Sequence, residues 1–443
     1  MLNAQKNITT HFFKSVSIAP LITFRIIFGA LMLYSTIRFI AKGWVYSHLV
    51  APKLHFTYFG FSWVKPLPEM LMYGVFGLML LACVGIILGC FYRLSAIAFF
   101  LTFTYTELID ITYYLNHYYF VSLVSFLLIF VPANRAFSLD VRRKPDLKQR
   151  EVPAWTIGIF KLQIAIVYFY AGVAKMNYDW LVNAMPLTIW LPAKTSLPVI
   201  GFIFKYKITA YLFSWAGMLF DTFIVGFLLW RKTRVLAYIA VVVFHTLTRL
   251  LFQIGVFPLV MSCCVLIFFS AEFHQRLIPL NSSRLGNAQR SSTPFKGLIT
   301  TCLVVFFAFQ LLFPWRYLLY KGNLFWTEEG YRFSWRVMLM EKAGTATFFV
   351  KDAKTGREGV VPNRQFLNDE QEKQMAMQPD LILQYAHFLK AHYAKKGVTN
   401  PSVRAKVQVT LNARPSQLLV DPQVDLSKIR DGWQQKEWIL ERK

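Results

Sequence analysis

The sequence predicts a polytopic α-helical membrane domain of about nine transmembrane helices, followed by a β-rich α+β soluble domain. Two observations predict this fold class. Hydrophobic residues make up 56% of the 443 residues and charged residues only 16%, whereas about 25% of the residues are charged in an average soluble domain. The deficit is also uneven. Residues 1–314 contain several apolar runs of about 20 residues, long enough to cross a bilayer, whereas residues 315–443 have an ordinary mixed composition.

The membrane domain divides into nine apolar segments. They are 18–41, 66–90, 94–110, 116–132, 154–174, 208–230, 235–253, 256–271 and 297–314. Basic residues are concentrated in the loops after the fourth, sixth and eighth segments: Arg135, Arg142, Arg143, Lys144, Lys148, Arg150, Arg231, Lys232, Arg234, Arg276, Arg284, Arg290 and Lys296. Nine crossings place these loops on one side, and loops rich in Lys and Arg stay in the cytoplasm. We therefore expect a cytoplasmic N-terminus and an extracytoplasmic soluble domain.

The net charge of +25 does not indicate nucleic-acid binding. Residues 1–314 contain 27 Lys and Arg against 9 Asp and Glu, and these basic residues follow the topology pattern. The tail contains 21 against 14, without a basic run. All five cysteines lie inside apolar segments, and no disulfide framework or metal-ligand spacing is present. This pattern favours a bacterial inner membrane over the endoplasmic reticulum.

The soluble domain has alternating and helical patterns of its own. Strands are predicted at Tyr331–Met340, at Thr345–Val350 and at Glu358–Val361, with a turn at 354–356. Helical spacing covers Pro379–Lys395. A further strand is predicted at Val403–Asn412, where every second residue is apolar. We expect this domain to pack against the outer membrane face.

Lys175 is the first candidate for chemistry. It ends the fifth apolar segment in an aromatic run that extends from Tyr168 to Trp180. A lysine in this place can snorkel to the interface and anchor the helix. If it is buried instead, desolvation disfavours the ammonium form, and a neutral amine can serve as a general base. The sequence leaves both interpretations open.

Three other polar positions fall near the same predicted membrane face. Asn116 and His117 open the fourth segment, and His117 either bonds an interfacial group or donates a hydrogen bond to a developing negative charge. Arg249 ends the seventh segment. His245 and Asp221 lie within apolar segments, where ionisable groups are functional candidates by default but also form helix–helix hydrogen bonds. Glu107 and Asp110 have the pattern of ordinary loop-edge carboxylates.

Several motifs together resemble the vitamin K-dependent gamma-carboxylase family over nearly the whole chain. Residues 168–180 fit the pattern Tyr-Phe-x-Ala-Gly-x-x-Lys-x-x-x-x-Asp-Trp, and residues 115–117 fit the Asn-His pair of the family. Phe244-His245, followed by residues 253–257, fits another block. Residues 330–335, with Tyr331, Ser334 and Trp335, look like the glutamate-binding stretch of the family, and residues 421–425 add a further match.

The resemblance implies a chemistry and assigns roles. Family members use a lysine amine, matched by Lys175, to deprotonate vitamin K hydroquinone. Reaction with O2 then produces a strong base, which removes a γ-proton from glutamate; the carbanion captures CO2, and the quinone leaves as its 2,3-epoxide. Asn116 and His117 match the supporting pair. Tyr331, Ser334 and Trp335, with His245 and Arg249, are the expected substrate-binding residues.

The expected partners are a lipid quinol from the bilayer, either vitamin K hydroquinone or menaquinol, and a glutamate-containing peptide; no metal and no nucleic acid are expected. One departure from animal relatives is Ala174, where they have a second lysine. Two alternatives stay open. One is a quinol epoxidase without protein carboxylation, and the other is a non-enzymatic lipid-binding or transport protein. Convergence of Lys175, His117 and Tyr331 in one outer-facing pocket would favour an enzyme.

Overall fold

The computed structural model describes residues 13–252, 254–278 and 296–442, so Gln253 and the predicted cytoplasmic loop 281–295 lie outside the described residues. Nine helices occupy the apolar part of the chain. They are α1 (Ala19–Ala41), α2 (Glu69–Leu88), α3 (Tyr92–Leu108), α4 (Asn116–Phe130), α5 (Trp155–Lys175), α6 (Lys207–Leu229), α7 (Arg234–Leu251), α8 (Phe257–Cys264) and α9 (Lys296–Leu312). Short helices at Leu139–Arg143, Tyr178–Leu181, Leu187–Trp190, Ala271–Leu277 and Leu324–Thr327 lie in the connections.

Every predicted apolar segment contains a helix, but nine crossings are not confirmed. Six helices of the described chain are long and apolar enough to cross a membrane: α1, α2, α5, α6, α7 and Gly297–Leu319, which contains most of α9. The other three are shorter. α3 has only 17 residues and includes Arg93 and Glu107, α4 has 15 residues, and α8 extends only as far as Phe268 by a 3-10 turn.

The segments that connect the helices fall into two groups, according to what they contact at each end of the helices. At one end, the connections touch the soluble domain: Asn368 donates to the Tyr113 hydroxyl at 2.9 Å, and Gln371 donates to Asp110 at 2.8 Å. At the other end, the connections touch one another. Strand β1 (Ser15–Ser17) pairs antiparallel with β2 (Glu151–Pro153), and Asp140 accepts from the backbone N–H of Phe91 at 2.8 Å. The helices α1 to α5 therefore alternate in direction.

The soluble domain is a four-stranded antiparallel sheet with helices. Its strands are β3 (Lys342–Lys351), β4 (Glu358–Val361), β5 (Ser402–Leu411) and β6 (Gln417–Leu418), in the order β4-β3-β5-β6. Helices α10 (Asp369–Met375) and α11 (Pro379–Lys395) complete it. The alternation in β5 is confirmed, since the side chains of its odd-numbered residues are buried in the same core as Leu381, Tyr385 and Leu389 of α11. The predicted turn at 354–356 and the helix over 379–395 are also confirmed.

The predicted strand at Tyr331–Met340 is wrong. The segment is a series of turns in which Phe333, Trp335 and Met338 have φ of 59°, 57° and 54°. Left-handed backbone of this kind breaks an extended strand, and residues other than glycine adopt it only where surrounding contacts hold them there. Trp335, which is only 1% exposed, provides such a contact by stacking on Tyr119 of α4 at 5.0 Å. The alternating apolar residues of this segment therefore pack against the membrane helices.

An ion pair fixes the soluble domain to the connection that follows α5. Nη1 of Arg414 donates to Oδ2 of Asp179 at 2.7 Å, and Asn412 donates to the same oxygen at 2.8 Å. The Arg414 guanidinium lowers the pKa of Asp179 to about 2. The Asp179 carboxylate is therefore charged at neutral pH, and it holds the turn after Lys175 against the sheet.

Candidate active site

Lys175 lies buried at the soluble-domain end of α5. Its side chain is not directed into water, because the residue is only 6% exposed and its amine makes two hydrogen bonds inside the protein. Nζ donates to Oδ2 of Asp221 at 2.7 Å and to the carbonyl of Ala171 at 3.2 Å. The Trp180 ring lies 5.4 Å from Nζ, within the range of a cation–π contact. Of the two interpretations of Lys175, the geometry favours burial over snorkelling.

Asp221 reaches Lys175 because α5 and α6 pack closely at Gly172. A Cβ atom at Gly172 would lie 2.5 Å from Oγ1 and 2.8 Å from the backbone nitrogen of Thr222, so only glycine fits there. Gly217, on the next turn of α6, faces Trp180 and the end of the Lys175 side chain. Small residues on both helices therefore set the separation at which the amine and the carboxylate meet.

Because Lys175 is paired with Asp221, its amine must lose a proton before it can act as a base. A carboxylate at hydrogen-bond distance favours the ammonium form of a lysine, whereas a general base must be neutral. Transfer of the proton along the 2.7 Å hydrogen bond to Asp221 would produce a neutral amine and a neutral acid. Low-polarity surroundings reduce the advantage of the charged pair, because both ions lose their hydration. Lys175 and Asp221 therefore form one hydrogen-bonded pair, the Lys175–Asp221 unit, within which a proton can move from the amine to the carboxylate.

His245 is bonded across helices, as one interpretation of the sequence expects. Its Nε2 and the Tyr168 hydroxyl are 2.8 Å apart and join α7 to α5. Nδ1 of His245 is buried and has no hydrogen-bond partner among the described residues. Tyr168 lies two turns before Lys175 on α5, and its neighbour in space, Phe220, precedes Asp221. The bonded pair therefore lies about two turns along α5 from the Lys175–Asp221 unit.

His117 lies on the other side of Phe257 from His245. The Phe257 ring is 5.7 Å from the His117 ring and 5.8 Å from the His245 ring. His117 is 6% exposed, and Gly255 passes close to its Nε2. The predicted site residue Arg249, in contrast, is exposed on the surface of α7. The structure thus brings the two histidines together through one aromatic ring and leaves Arg249 apart.

Asn116 connects the start of α4 to the segment 330–336. Its amide donates to the carbonyl of Arg336 at 3.1 Å, and its Oδ1 accepts from the Tyr114 hydroxyl at 3.0 Å. The same hydroxyl accepts from the backbone N–H of Phe333 at 2.9 Å. Two of the motifs that carry the family resemblance are therefore in direct contact.

The predicted substrate-binding side chains of 330–335 are mostly engaged within the protein. Ser334 accepts from Nη1 of Arg316 at 3.0 Å and donates to the carbonyl of Gly330 at 2.8 Å. Tyr331 is half-buried, with its ring 6.2 Å from that of Phe325. Trp335 is stacked as described, but its indole Nε1 is buried and has no hydrogen-bond partner in the described chain.

A cavity of about 160 Å³ lies where α5 ends against this segment. Its lining includes Ala174 and Asn177, on either side of Lys175, and Ser334 and Arg336. Lys175, His117 and Tyr331 themselves do not line it, nor do they line a larger cavity of about 740 Å³ bounded by α3, α4 and α9. The three residues therefore belong to one end of the molecule without facing a common described pocket.

Two buried acidic side chains have partners that the sequence does not indicate. Asp221 pairs with Lys175 through helix packing across 46 residues. Asp110, which has the sequence pattern of a loop-edge group, is 2% exposed and accepts hydrogen bonds from Thr112 and Gln371. Across residues 13–252, 254–278 and 296–442, no three His, Cys, Asp or Glu side chains are grouped to hold a metal ion.

Comparison with known families defines the class and then the family. Residues 13–273 match the HTTM domain, so the chain is an integral membrane protein of the HTTM type. Residues 295–443 match the lumenal domain of vitamin K-dependent gamma-carboxylase. The two matches cover nearly the whole chain in the family's order, and the chain belongs to the vitamin K-dependent gamma-carboxylase family. No solved structure matches the chain.

Proposed function

We propose that this protein is an integral membrane enzyme that couples the oxygenation of vitamin K hydroquinone, or menaquinol, to the γ-carboxylation of peptide glutamate. The observation that carries the proposal is the buried Lys175 amine, held 2.7 Å from Asp221 at the soluble-domain end of a membrane helix. A lipid substrate from the bilayer and a polar substrate from the water can meet at that depth. The family membership supplies the substrate class.

The residues around Lys175 fit an uncharged hydroquinone. The pair of Lys175 and Asp221 carries no net charge in either proton arrangement, so a neutral, apolar substrate can approach it without a large desolvation cost. When bound, the hydroquinone supplies, by reaction with O2, the base that is strong enough to remove a γ-proton. In this proposal Lys175 accepts the hydroquinone proton, Asp221 receives the proton that Lys175 held before, and Asn116 and His117 support the reacting end.

The overall conversion balances without a further reductant or a metal. One hydroquinone, one O2, one CO2 and one glutamate side chain give one quinone 2,3-epoxide, one γ-carboxyglutamate and one water. The hydroquinone is the electron donor and O2 the acceptor. Water must be kept from the reacting base, and burial of Lys175 and Trp180 beneath the soluble domain supports this requirement.

The proposal includes a topology. Residues 1–314 would cross the membrane nine times, with a cytoplasmic N-terminus, and residues 315–443 would lie outside, in a bacterial periplasm rather than the lumen of the endoplasmic reticulum. Two observations support it: the alternating direction of α1 to α5, and the contacts of the soluble domain with the connections at one end of these helices. The basic connection 133–153 lies at the other end, where β2 pairs with β1.

A second candidate is a quinol epoxidase that does not carboxylate protein. One observation favours it: Ser334 and Trp335, which were expected to hold glutamate, are bonded and stacked within the protein. In that case the quinol is still oxygenated at Lys175, but the strong base that forms acts on a substrate other than peptide glutamate, or on none.

The test uses the purified full-length protein with reduced vitamin K, O2, labelled bicarbonate and a glutamate-containing peptide. Epoxide with label in the peptide supports the carboxylase, and epoxide alone supports the epoxidase. Lys175→Ala is expected to abolish epoxide formation, with partial rescue by small added amines, because the base is removed and its space is left open. Lys161→Ala is the matched control, since Lys161 lies on the same helix, and it should retain activity.

The outcome that contradicts both candidates is a folded protein that forms neither product, or a Lys175→Ala variant that is as active as the wild type. The first result would point to a lipid-binding or transport protein of the same fold. The second would mean that the amine is only a structural partner of Asp221.

A further inference from the structure

The large cavity lies on the far side of α4 from the histidines. Its volume is about 740 Å³, within the range of small-molecule sites. Successive residues of a helix are rotated by about 100°, so Tyr119, Ser122 and Phe126, which line the cavity, share one face of α4. His117 is about half a turn away from Tyr119 and packs on Phe257. The cavity is therefore separate from the Lys175–Asp221 unit.

The membrane part of the cavity is aromatic. Phe100 of α3, Phe126 of α4 and Phe306 of α9 line it, with ring centroids 5.4 Å apart for the first pair and 5.5 Å apart for the second. The helix α9 forms the third wall of the cavity, and little of it is covered by protein. Only 11% of its most apolar stretch is buried, against 67% for α5. An apolar chain can therefore reach these rings sideways from the bilayer.

Two polar groups in the wall have no partner. The Thr104 hydroxyl is buried without a hydrogen bond, and the carboxyl group of Glu107, one turn further along α3, makes no hydrogen bond or ion pair within the described chain. Both side chains line the cavity. A buried group without a partner costs stability, which is regained if a ligand donates a hydrogen bond to it. A ligand with a hydroxyl donor would satisfy Glu107.

The cations at the mouth of the cavity are already engaged. Arg332 is paired with Asp380 at 2.6 Å, and Lys436 lies 3.5 Å from Asp431 and 3.8 Å from Glu329. Nη1 of Arg316 donates to Ser334 and to the carbonyl of Phe313. A phosphate head group would have to break these contacts. The arrangement therefore favours an uncharged lipid over an anionic phospholipid.

We propose that this cavity is a second lipid site, which binds an uncharged isoprenoid hydroquinone with its hydroxyl on Glu107 and Thr104 and its chain among Phe100, Phe126 and Phe306. The choice of a hydroquinone among hydroxyl-bearing lipids rests on the proposed function. The site keeps a substrate molecule at the same end of the membrane domain as Lys175, but apart from it.

The test measures binding without turnover. Full-length protein in phosphatidylcholine nanodiscs is titrated anaerobically with menaquinol that carries a four-prenyl chain. Trp433 lines the mouth of the cavity, so its fluorescence reports whether the cavity is occupied. The Trp433 signal is obtained by subtracting the fluorescence of the Trp433→Phe variant from that of the wild-type protein. We expect saturable quenching. Glu107→Leu, which removes the acceptor at similar size, should weaken binding about tenfold, the effect of losing one hydrogen bond.

Two variants and a competitor make the result specific. Ser122→Phe should abolish the quenching by filling the floor of the cavity, whereas Glu69→Gln, an exposed acid at the start of α2, should leave it unchanged. Phosphatidylglycerol should not displace the quinol. The inference would be overturned if Glu107→Leu and Ser122→Phe were both quenched as strongly as the wild-type protein, or if phosphatidylglycerol displaced the quinol.

Failure of this inference is distinguishable from failure of the proposed function. Lys175→Ala should keep the Trp433 quenching although it forms no epoxide. Epoxide formation by a wild-type protein that shows no Trp433 quenching removes the second site and leaves the enzyme. Quenching in a protein that forms no epoxide removes the enzyme and leaves a lipid-binding site.

Discussion

At the scale of single residues, the buried pair of Lys175 and Asp221 is the feature on which the proposed function rests. The aromatic run around Lys175 made a buried amine one of two interpretations, because aromatic side chains exclude water. The partner could not be predicted, because Asp221 is a lone acid in an apolar segment 46 residues away. Which acid meets which base depends on the packing of α5 against α6, and that packing is set by Gly172 and Thr222.

The pair predicts unequal effects of single and double substitutions. Asp221→Asn leaves the Lys175 ammonium buried without its counter-charge, and we expect a loss of about 3–5 kcal/mol in the free energy of unfolding. Lys175→Met combined with Asp221→Leu should recover most of that stability, because both charges are then removed. Equilibrium unfolding in mixed micelles measures this difference.

Epoxide formation separates stability from chemistry in these variants. The double variant should fold and remain inactive, because no base is left. If Asp221→Asn were as stable as the wild type, the two side chains would not form the ion pair described here.

At the scale of elements, a close contact between α5 and α6 lies one turn before Lys175. Gly172→Ala places a methyl group 2.5 Å from Oγ1 of Thr222, so α5 and α6 must separate. We expect a loss of about 1–3 kcal/mol, typical of overpacking, together with reduced epoxide formation, because Asp221 moves away from the amine. Unfolding and turnover are measured on the same preparation.

Gly158 offers a matched control on the same helix. A Cβ atom there meets nothing within 4 Å, so Gly158→Ala should be neutral or slightly stabilising, as alanine favours a helix over glycine. Equal effects of the two substitutions would mean that helix propensity, and not the contact with Thr222, determines the result.

The elements also show what sequence patterns can predict. β5 was predicted correctly because its alternation has one physical cause: one face is buried against α11. The segment Tyr331–Met340 has similar alternation, but Phe333, Trp335 and Met338 turn the chain with positive φ. Those conformations are held by Tyr114 and Tyr119, more than 200 residues earlier in the chain. Local patterns do not contain such contacts.

At the scale of the whole molecule, the two groups of helix ends predict a sidedness that labelling can measure. In a protein whose five natural cysteines are replaced, we expect an impermeant maleimide to label Thr355→Cys in spheroplasts. Lys232→Cys should react only after the membrane is permeabilised, because the proposed topology places the loop after α6 on the cytoplasmic side. Both positions are exposed.

An even number of crossings between the two positions would put both cysteines on the same side. Labelling of both in intact spheroplasts, or of neither, would therefore contradict the nine-helix topology. Reversed labelling would keep the topology and invert the orientation.

The weak attachment of α9 gives the surrounding lipid a part in the architecture. Little of this helix is buried by protein, and helices in a bilayer gain no hydrophobic energy by leaving lipid for each other. The hydrocarbon chains beside α9 thus cover the outer face of the helix that forms one wall of the 740 Å³ cavity. Bilayer thickness, which sets the tilt of such a helix, becomes a determinant of cavity width, and a detergent micelle does not reproduce it.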